Sequence, residues 1–596
     1  MGFTTTEMIA TVAVPAAEKR ATFVARPGAI LACICAATFV LYLGTAWFGF
    51  VLDDVYQVLD TAAIHSWGYF FGYFTSATFA TPYYRPLLLA WFRINDALFG
   101  ANAAGWHLCS VTLHVAVTAL VYALARRLGG TTTVALIAAL IFGVHPIHIQ
   151  SAAWISDACD PLSAIFLLAA FLAWVHGEQR SSTTWKAAAA AAYVLALLTK
   201  EGAVALPALI VAYAAIYTDG NWKDKARRAI SSALPFAVIT AAYLYVHEEL
   251  TRSVVGNQMN LSFTTALLTV PSLVMFYLKK LFVPIGLSGF YDNPYIRTAS
   301  FGDFFLPLIV LAVVAGAVWL WQRRAKESRL IAFATCWFVL TLAPALDVRK
   351  LPHDGAAHDR YLYLASMGFS ILIALGLEQM LASTAPANRE RVTAAAAIAL
   401  AVVLVALNLP QQVYWANDYL LYQRGVAIAP GNDRARNNLG RVLAERGDFR
   451  GAETLFVDIL SRNPDSALAH YNLGYTLYRE GRYAEAEPHL VRATAGEPSN
   501  PFMHLYLGLT AMREGKLDIA EREVGQAVRM RPGHLGFHLA LSYVLESKGD
   551  LRGALQETRA ELAHAPGNAA IRERAEQLAT RLGTKPATAA APSRIR

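Results

Sequence analysis

The sequence predicts an all-α chain in two unlike parts, a polytopic membrane helical bundle followed by a soluble helical-repeat solenoid. Three observations lead there. Of its 596 residues, 56% are hydrophobic and only 16% charged, too few solvating groups for a soluble globule of that length. Apolar runs of roughly bilayer-crossing length recur up to Leu409. Beyond Pro410 the composition turns polar, and the sequence repeats at a step of 34 residues. The expected organisation is a cytoplasmic tail (1–28), a membrane domain of about 11–12 spans (29–410), a repeat domain (411–582) and a disordered tail (583–596).

Lys19, Arg20 and Arg26 precede the first run, 29–48, in the charge order of a signal peptide. The run is longer than a signal core and lacks a small-residue cleavage site, so a retained anchor is expected. Further runs cover 108–128, 132–149, 162–175, 187–198, 204–217, 230–246, 304–321, 330–346, 362–381 and 392–409. The net charge of +8 does not point to nucleic acid, because its cations cluster in short loops: Arg126 and Arg127, Lys223 to Arg228, Arg323 to Arg329, Arg389 to Arg391. Placing those loops inside puts the N-terminus inside, and puts the polar loops 53–105, 145–161, 200–201, 247–260, 286–303 and 347–361 outside with the repeats. Segment 263–283 is apolar too, but Lys279 and Lys280 interrupt it, and a crossing there would turn Arg323 to Arg329 outward. A re-entrant or interfacial segment is expected instead. The five cysteines, Cys33, Cys35, Cys109, Cys159 and Cys336, lie in or beside apolar runs and form neither a disulfide framework nor a zinc-finger spacing.

In the C-terminal part, prolines stand at 430, 464, 498, 532 and 566; Gly440, Gly474 and Gly508 keep the same step, as do Gly447, Gly481, Gly515 and Gly549, and Ala452, Ala486, Ala520 and Ala554. A 34-residue unit with an early Leu-Gly, a small residue at the helix crossing and a terminal proline is the tetratricopeptide pattern, two antiparallel helices per repeat. One helix over 417–429, four full repeats and a capping helix over 569–582 follow from that register. Such repeats stack into a curved groove that binds peptide. Asn438 and Asn472 hold equivalent positions expected to line it; the next rungs are Tyr506 and Ala540.

The outside loops hold the chemistry. GFVLDDVYQVLD places Asp53 and Asp54 just beyond the first span, and TPYYRPLLLAW places Arg85 after Tyr83 and Tyr84 in the same loop. VHPIHIQSAAWISDACDP contributes His145, His148, Asp157 and Asp160; LLTKEGAVALP contributes Lys200 and Glu201. LPHDGAAHDRYLYLAS contributes His353, Asp354, His358, Asp359, Arg360, Tyr361 and Tyr363. Helix-end solvation, capping and mutual pairing account for any one of these groups alone. Their density on one face points to a reaction site whose planar guanidinium forks suit phosphate.

In order, these motifs followed by tetratricopeptide repeats resemble the transmembrane and tetratricopeptide-repeat O-mannosyltransferase-like family of type C glycosyltransferases, from Phe50 to about Leu582. The resemblance implies an integral membrane glycosyltransferase that moves a mannose-like hexose from a polyprenyl-phosphate donor to Ser/Thr hydroxyls of proteins on the outer or lumenal face, with the repeats binding the acceptor. It implies a catalytic carboxylate at Asp53 or Asp54. Donor-phosphate contacts are expected from Arg85, Lys200, Arg360 and His358, and substrate contacts from His145, His148, Asp157, Asp160, Glu201, Asp359 and Tyr361. A divalent metal, Mg or Mn, held by Asp53 and Asp54 belongs to some relatives and not to others, and the sequence leaves it open. A lipid or glycan acceptor, and a non-catalytic scaffold that uses its repeats for protein interaction, also stay open. Relatives commonly carry an arginine in the segment after the WIS turn where this chain has Ala158. The composition fits a bacterial inner membrane with periplasmic repeats, and an endoplasmic reticulum lumen fits the same topology.

Overall fold

The computed structural model describes residues 26–81, 83–252, 261–350, 357–381 and 386–583. His353 and Asp354, most of the N-terminal tail and the C-terminal tail from 584 lie outside the described residues. Among the described residues the chain is helical throughout, with no strand. Among the described residues, eight helices are long and apolar enough to cross a membrane: Pro27–Trp47, Ala103–Arg127, Ile155–Arg180, Trp222–Thr251, Phe263–Phe282, Phe301–Arg324, Ser328–Leu346 and Asn388–Trp415. Shorter apolar helices, Glu201–Tyr217 and Ala365–Met380, and the alanine-rich Thr183–Thr199 fill the bundle.

The run expected over 132–149 is broken. Thr132–Val144 and Pro146–Ala153 meet at a 51° bend, because Pro146 has no N–H to give and its ring excludes a continuing helix. His145 and His148 are thereby carried into the bundle. Phe301–Arg324 has only 6% of its apolar window buried, so it presents hydrocarbon on nearly every side, as a helix facing lipid does. Since lipid is as apolar as leucine, helix association needs close packing and polar contacts between helices. Tyr42 accepts from Asn408 at 2.9 Å, Tyr193 and Thr240 share a hydrogen bond of 2.6 Å, and His114 meets the Tyr363 hydroxyl at 2.9 Å.

The two ends of the bundle are chemically distinct. At one end the cationic turns are tied together: Arg126 donates to the Gly130 carbonyl at 2.7 Å, Arg329 pairs with Asp219 at 2.5 Å, and Gln379 bridges Trp321 and Glu327 at 2.6 and 2.7 Å. The acidic and histidine-bearing loops gather at the other end, where the repeats begin. Phe263–Phe282, expected to be re-entrant or interfacial, is long and apolar enough to cross. Its Phe263 ring lies 5.9 Å from the Arg349 guanidinium, and Lys280 near its C-terminus donates to the Gly286 carbonyl at 2.7 Å, next to Leu287, whose N–H reaches Gln411 at 3.0 Å. The two ends of that helix thus contact loops that the charge pattern assigns to one side.

The repeat domain runs from Asp418–Ile428 through four helix pairs to Ala569–Arg581. Its register follows from two packing rules. A Cβ on Gly440, Gly474 or Gly508 would come within 2.6 Å of Phe456, Leu490 or Val524 respectively, so only glycine lets the paired helices approach. Ala452, Ala486, Ala520 and Ala554 are fully buried at the crossings, and Gly447, Gly481, Gly515 and Gly549 turn the chain at φ of 76–86°. A histidine ladder completes each turn: His470, His504 and His538 reach the carbonyls of Pro464, Pro498 and Pro532 at 2.9, 3.0 and 2.9 Å.

Candidate active site

The site is built from four loops at the acidic end. The first leaves Pro27–Trp47 and turns sharply at Leu52, whose φ is +54°, delivering Asp53 and Asp54. The Asp54 carboxylate is fully buried and saturated: one oxygen accepts from the Ser156 N–H at 2.8 Å and its hydroxyl at 2.5 Å, the other from the Val51 N–H at 3.1 Å. Burial pushes its pKa up to about 7, against the pull of those donors. Asp53 is part-exposed, and its carboxylate accepts no hydrogen bond from another described residue. The adjacent pair is thus divided: Asp54 fastens the loop to the segment 154–160, and Asp53 is left to face outward.

Arg85 stands before the helix Pro86–Phe99 and grips Glu201 with two hydrogen bonds, 2.9 Å from Nε and 2.5 Å from Nη2, while its guanidinium covers the Tyr83 ring at 4.2 Å. Lys200 donates to Asp160 at 2.6 Å and lies 3.9 Å from Asp157, which accepts from the Ser151 hydroxyl at 2.7 Å. Burial opposes the charge on Lys200; Asp160 outweighs it and holds the ammonium above its usual pKa. Two of the expected phosphate cations are therefore matched by two of the expected substrate carboxylates.

Arg360 differs. It forms no ion pair with a described carboxylate, and its guanidinium lies over the Trp154 indole at 5.1 Å and the Tyr361 ring at 5.6 Å. Its backbone N–H is fixed by Gln150 at 3.1 Å. On one side of it, His358 packs edge-on to Tyr361 at 5.4 Å with its Nδ1 buried and unpartnered; burial, then Arg360, holds the imidazole well below its usual pKa and neutral. On the other, both Asp359 oxygens accept from the Tyr291 hydroxyl, at 2.7 and 2.8 Å, and burial lifts that carboxyl to about 7.

Three expected site residues, His145, His148 and Asn472, are buried in contacts within the fold. His145 is buried between the Leu281 carbonyl, 2.9 Å from its Nε2, and the Ile147 N–H, 3.1 Å from its Nδ1. His148 reaches Ser366 at 2.8 Å inside an aromatic cluster with Phe142 and Tyr363. Both are buried, because the bend at Pro146 turns them inward, and the His148 Nδ1 has no partner there. Asn472 is buried and donates to Asn437 at 3.1 Å between repeats, whereas Asn438 is half-buried. Ala158 is fully buried beside Leu113 and Leu162, an apolar setting with no place for the relatives' arginine.

A metal between Asp53 and Asp54 does not fit this arrangement. The Asp54 oxygens are covered by N–H and O–H donors whose positive ends repel a cation, and no cluster of three or more His, Cys, Asp or Glu side chains suited to a metal occurs among the described residues.

Comparison with known proteins finds two kinds of region in the chain. Residues 84–247 match the family described as dolichyl-phosphate-mannose-protein mannosyltransferase, and residues 437–501 and 505–569 match the tetratricopeptide repeat. The chain joins a mannosyltransferase-family region to tetratricopeptide repeats. That mannosyltransferase region contains Arg85, Asp157, Asp160, Lys200 and Glu201, while Asp53, Asp54 and His358–Tyr361 lie outside it. The chain is 24% identical over 472 residues to protein O-mannosyl-transferase TMTC3 of Mus musculus, covering 72% of this chain and 50% of that protein. It is 25% identical over 528 residues to Tmtc3 of Drosophila melanogaster, covering 74% and 55%. The chain spans about half the length of these curated relatives. Among solved structures, a thermophilic tetratricopeptide-repeat protein of Thermus thermophilus covers 30% of this chain and 95% of its own at 24% identity, with a TM-score of 0.25.

Proposed function

We propose that the chain is a membrane glycosyltransferase that moves a mannose-like hexose from a polyprenyl-phosphate donor to Ser/Thr hydroxyls of a protein. The observation that carries this reading is the convergence of the four loops: Asp54 to Ser156, Arg85 to Glu201, Lys200 to Asp160 and Arg360 to Gln150 bring them to one end of an apolar bundle. A donor whose tail is hydrocarbon and whose head is a sugar phosphate needs such a boundary. The names of the relatives and the mannosyltransferase match support the sugar and the protein acceptor.

In this reading Asp53 takes the proton from the acceptor hydroxyl. The freed oxygen attacks the anomeric carbon as the bond from that carbon to the donor phosphate oxygen breaks, and polyprenyl phosphate leaves with the electron pair. Its charge falls to Arg360, the cation without a carboxylate, while His358 offers a neutral hydrogen-bonding group. The pairs Arg85–Glu201 and Lys200–Asp160 hold the loops that form the site. The site and the repeats face away from the cytoplasm, on the side opposite the arginine-rich turns, and the repeats present the acceptor.

The test uses the purified full chain with radiolabelled polyprenyl-phosphate mannose and Ser/Thr-containing proteins from its own source. Transfer by the unaltered protein and its loss in Asp53→Asn support the reading. Absence of transfer together with absence of polyprenyl-phosphate binding overturns it.

A further inference from the structure

The junction between membrane domain and repeats does more than connect them. Between the last membrane helix and the first repeat helix, residues 413–418 lie directly on the loop that bears Asp53. The Gly49 N–H donates to the Ala416 carbonyl at 3.0 Å, and the Leu52 N–H donates to the Asp418 carboxylate at 2.9 Å. Leu52 is the residue at φ +54°, a backbone conformation in which a leucine Cβ crowds the following carbonyl and which persists only when neighbours enforce it. It immediately precedes Asp53. Asp418 itself is part-buried, and its second oxygen is 3.8 Å from Arg441 in the first full repeat. On the opposite side of the same junction, the Trp415 indole stacks on Trp154 at 6.1 Å and 27°, and Trp154 carries the Arg360 guanidinium.

We propose that Asp418 is a positioning residue for the transfer reaction: through Leu52 it sets the backbone from which Asp53 projects, so that the first repeat helix belongs to the apparatus of the active site as well as to the acceptor groove. The inference rests on the function proposed above. It goes beyond it by assigning a part in the chemical step to the repeat domain, separate from holding the acceptor.

The experiment compares kcat and KM of the full chain and its variants, with polyprenyl-phosphate mannose as donor and a short Ser/Thr peptide, too short to span two repeats, as acceptor. Asp418→Ala should lower kcat at least tenfold while leaving the KM for donor within twofold. Asp418→Asn, whose amide oxygen still accepts from the Leu52 N–H, should stay within threefold of the unaltered protein. Leu52→Gly in the Asp418→Ala background should restore part of the lost kcat, because glycine adopts φ +54° without enforcement. If Asp418→Ala fails to fold, the comparison of Asp418→Asn with Asp418→Leu in thermally matched samples takes its place. Equal kcat in Asp418→Ala and the unaltered protein overturns the proposal, as does equal damage by Asn and Ala with no recovery on Leu52→Gly. Absence of both transfer and polyprenyl-phosphate binding in the unaltered protein overturns the proposal together with the function it rests on.

Discussion

Lys200 and Asp160 sit 40 residues apart in sequence and 2.6 Å apart in space, and the second Asp160 oxygen is buried with no partner. A buried pair of this kind is held by mutual dependence, since either charge alone would be stranded in a low-dielectric setting. Lys200→Met or Asp160→Asn alone should each cost about 3–5 kcal/mol of stability. The double variant should cost clearly less than the sum, a coupling that thermal unfolding in detergent measures by a double-mutant cycle. Strict additivity would show that the pair is not energetically coupled.

The division between Asp53 and Asp54 predicts phenotypes that differ in stability. Asp53→Asn should leave the melting temperature near that of the unaltered protein and reduce transfer by roughly two to four orders of magnitude, the usual contribution of a general base. Asp54→Asn keeps the size of the side chain but places an amide where donors converge, so it should lower the melting temperature as well as activity. Loss of activity confined to Asp54→Asn would move the base to that residue.

Asp54 and Asp359 also set a pH dependence. Both carboxyls are raised to about 7 in the folded protein by burial, above an unfolded value of about 4. The folded state therefore binds more protons between those limits. Their stabilising contribution is fully present below about pH 4 and is lost as pH rises through about 7. Melting temperatures across that window should fall with rising pH, and Asp54→Asn or Asp359→Asn should flatten the slope. An unchanged slope in both variants would contradict the burial argument.

In the repeats, Gly474→Ala would place a methyl group 2.6 Å from Leu490. The expected loss is about 1–3 kcal/mol from overpacking, read as a lower denaturant midpoint of the C-terminal transition. Gly533→Ala, where nothing lies within 4 Å, is the control and should change little.

The repeat domain was legible because its signals are local. Glycines, alanines and prolines at a 34-residue step each answer a steric demand within one helix pair, and the structure meets each at the expected place. Apolar length made the membrane part legible as a set of helices, but about 11–12 spans were expected and eight helices among the described residues are long and apolar enough to cross, because short or bent apolar runs read as spans in a sequence. The bend at Pro146 was written in the sequence, yet its effect on His145 and His148 depended on which way the bent segment pointed. The cations show the limit most clearly. Arg85, Lys200 and Arg360 look alike in a sequence, and only contacts across 116 residues for Arg85–Glu201 and 40 for Lys200–Asp160 reveal which of them are already neutralised. Asp418 gave no sign at all, because the loop it holds lies 366 residues away.

The stacked indoles of Trp154 and Trp415 lend the molecule a spectroscopic handle. Two such chromophores 6.1 Å apart at 27° should couple through their strong far-ultraviolet transitions, a contribution to the circular dichroism expected to fall when Trp415 leaves Trp154. The seating of one domain on the other can thus be followed by light, without a label, in the same cuvette in which the reaction runs.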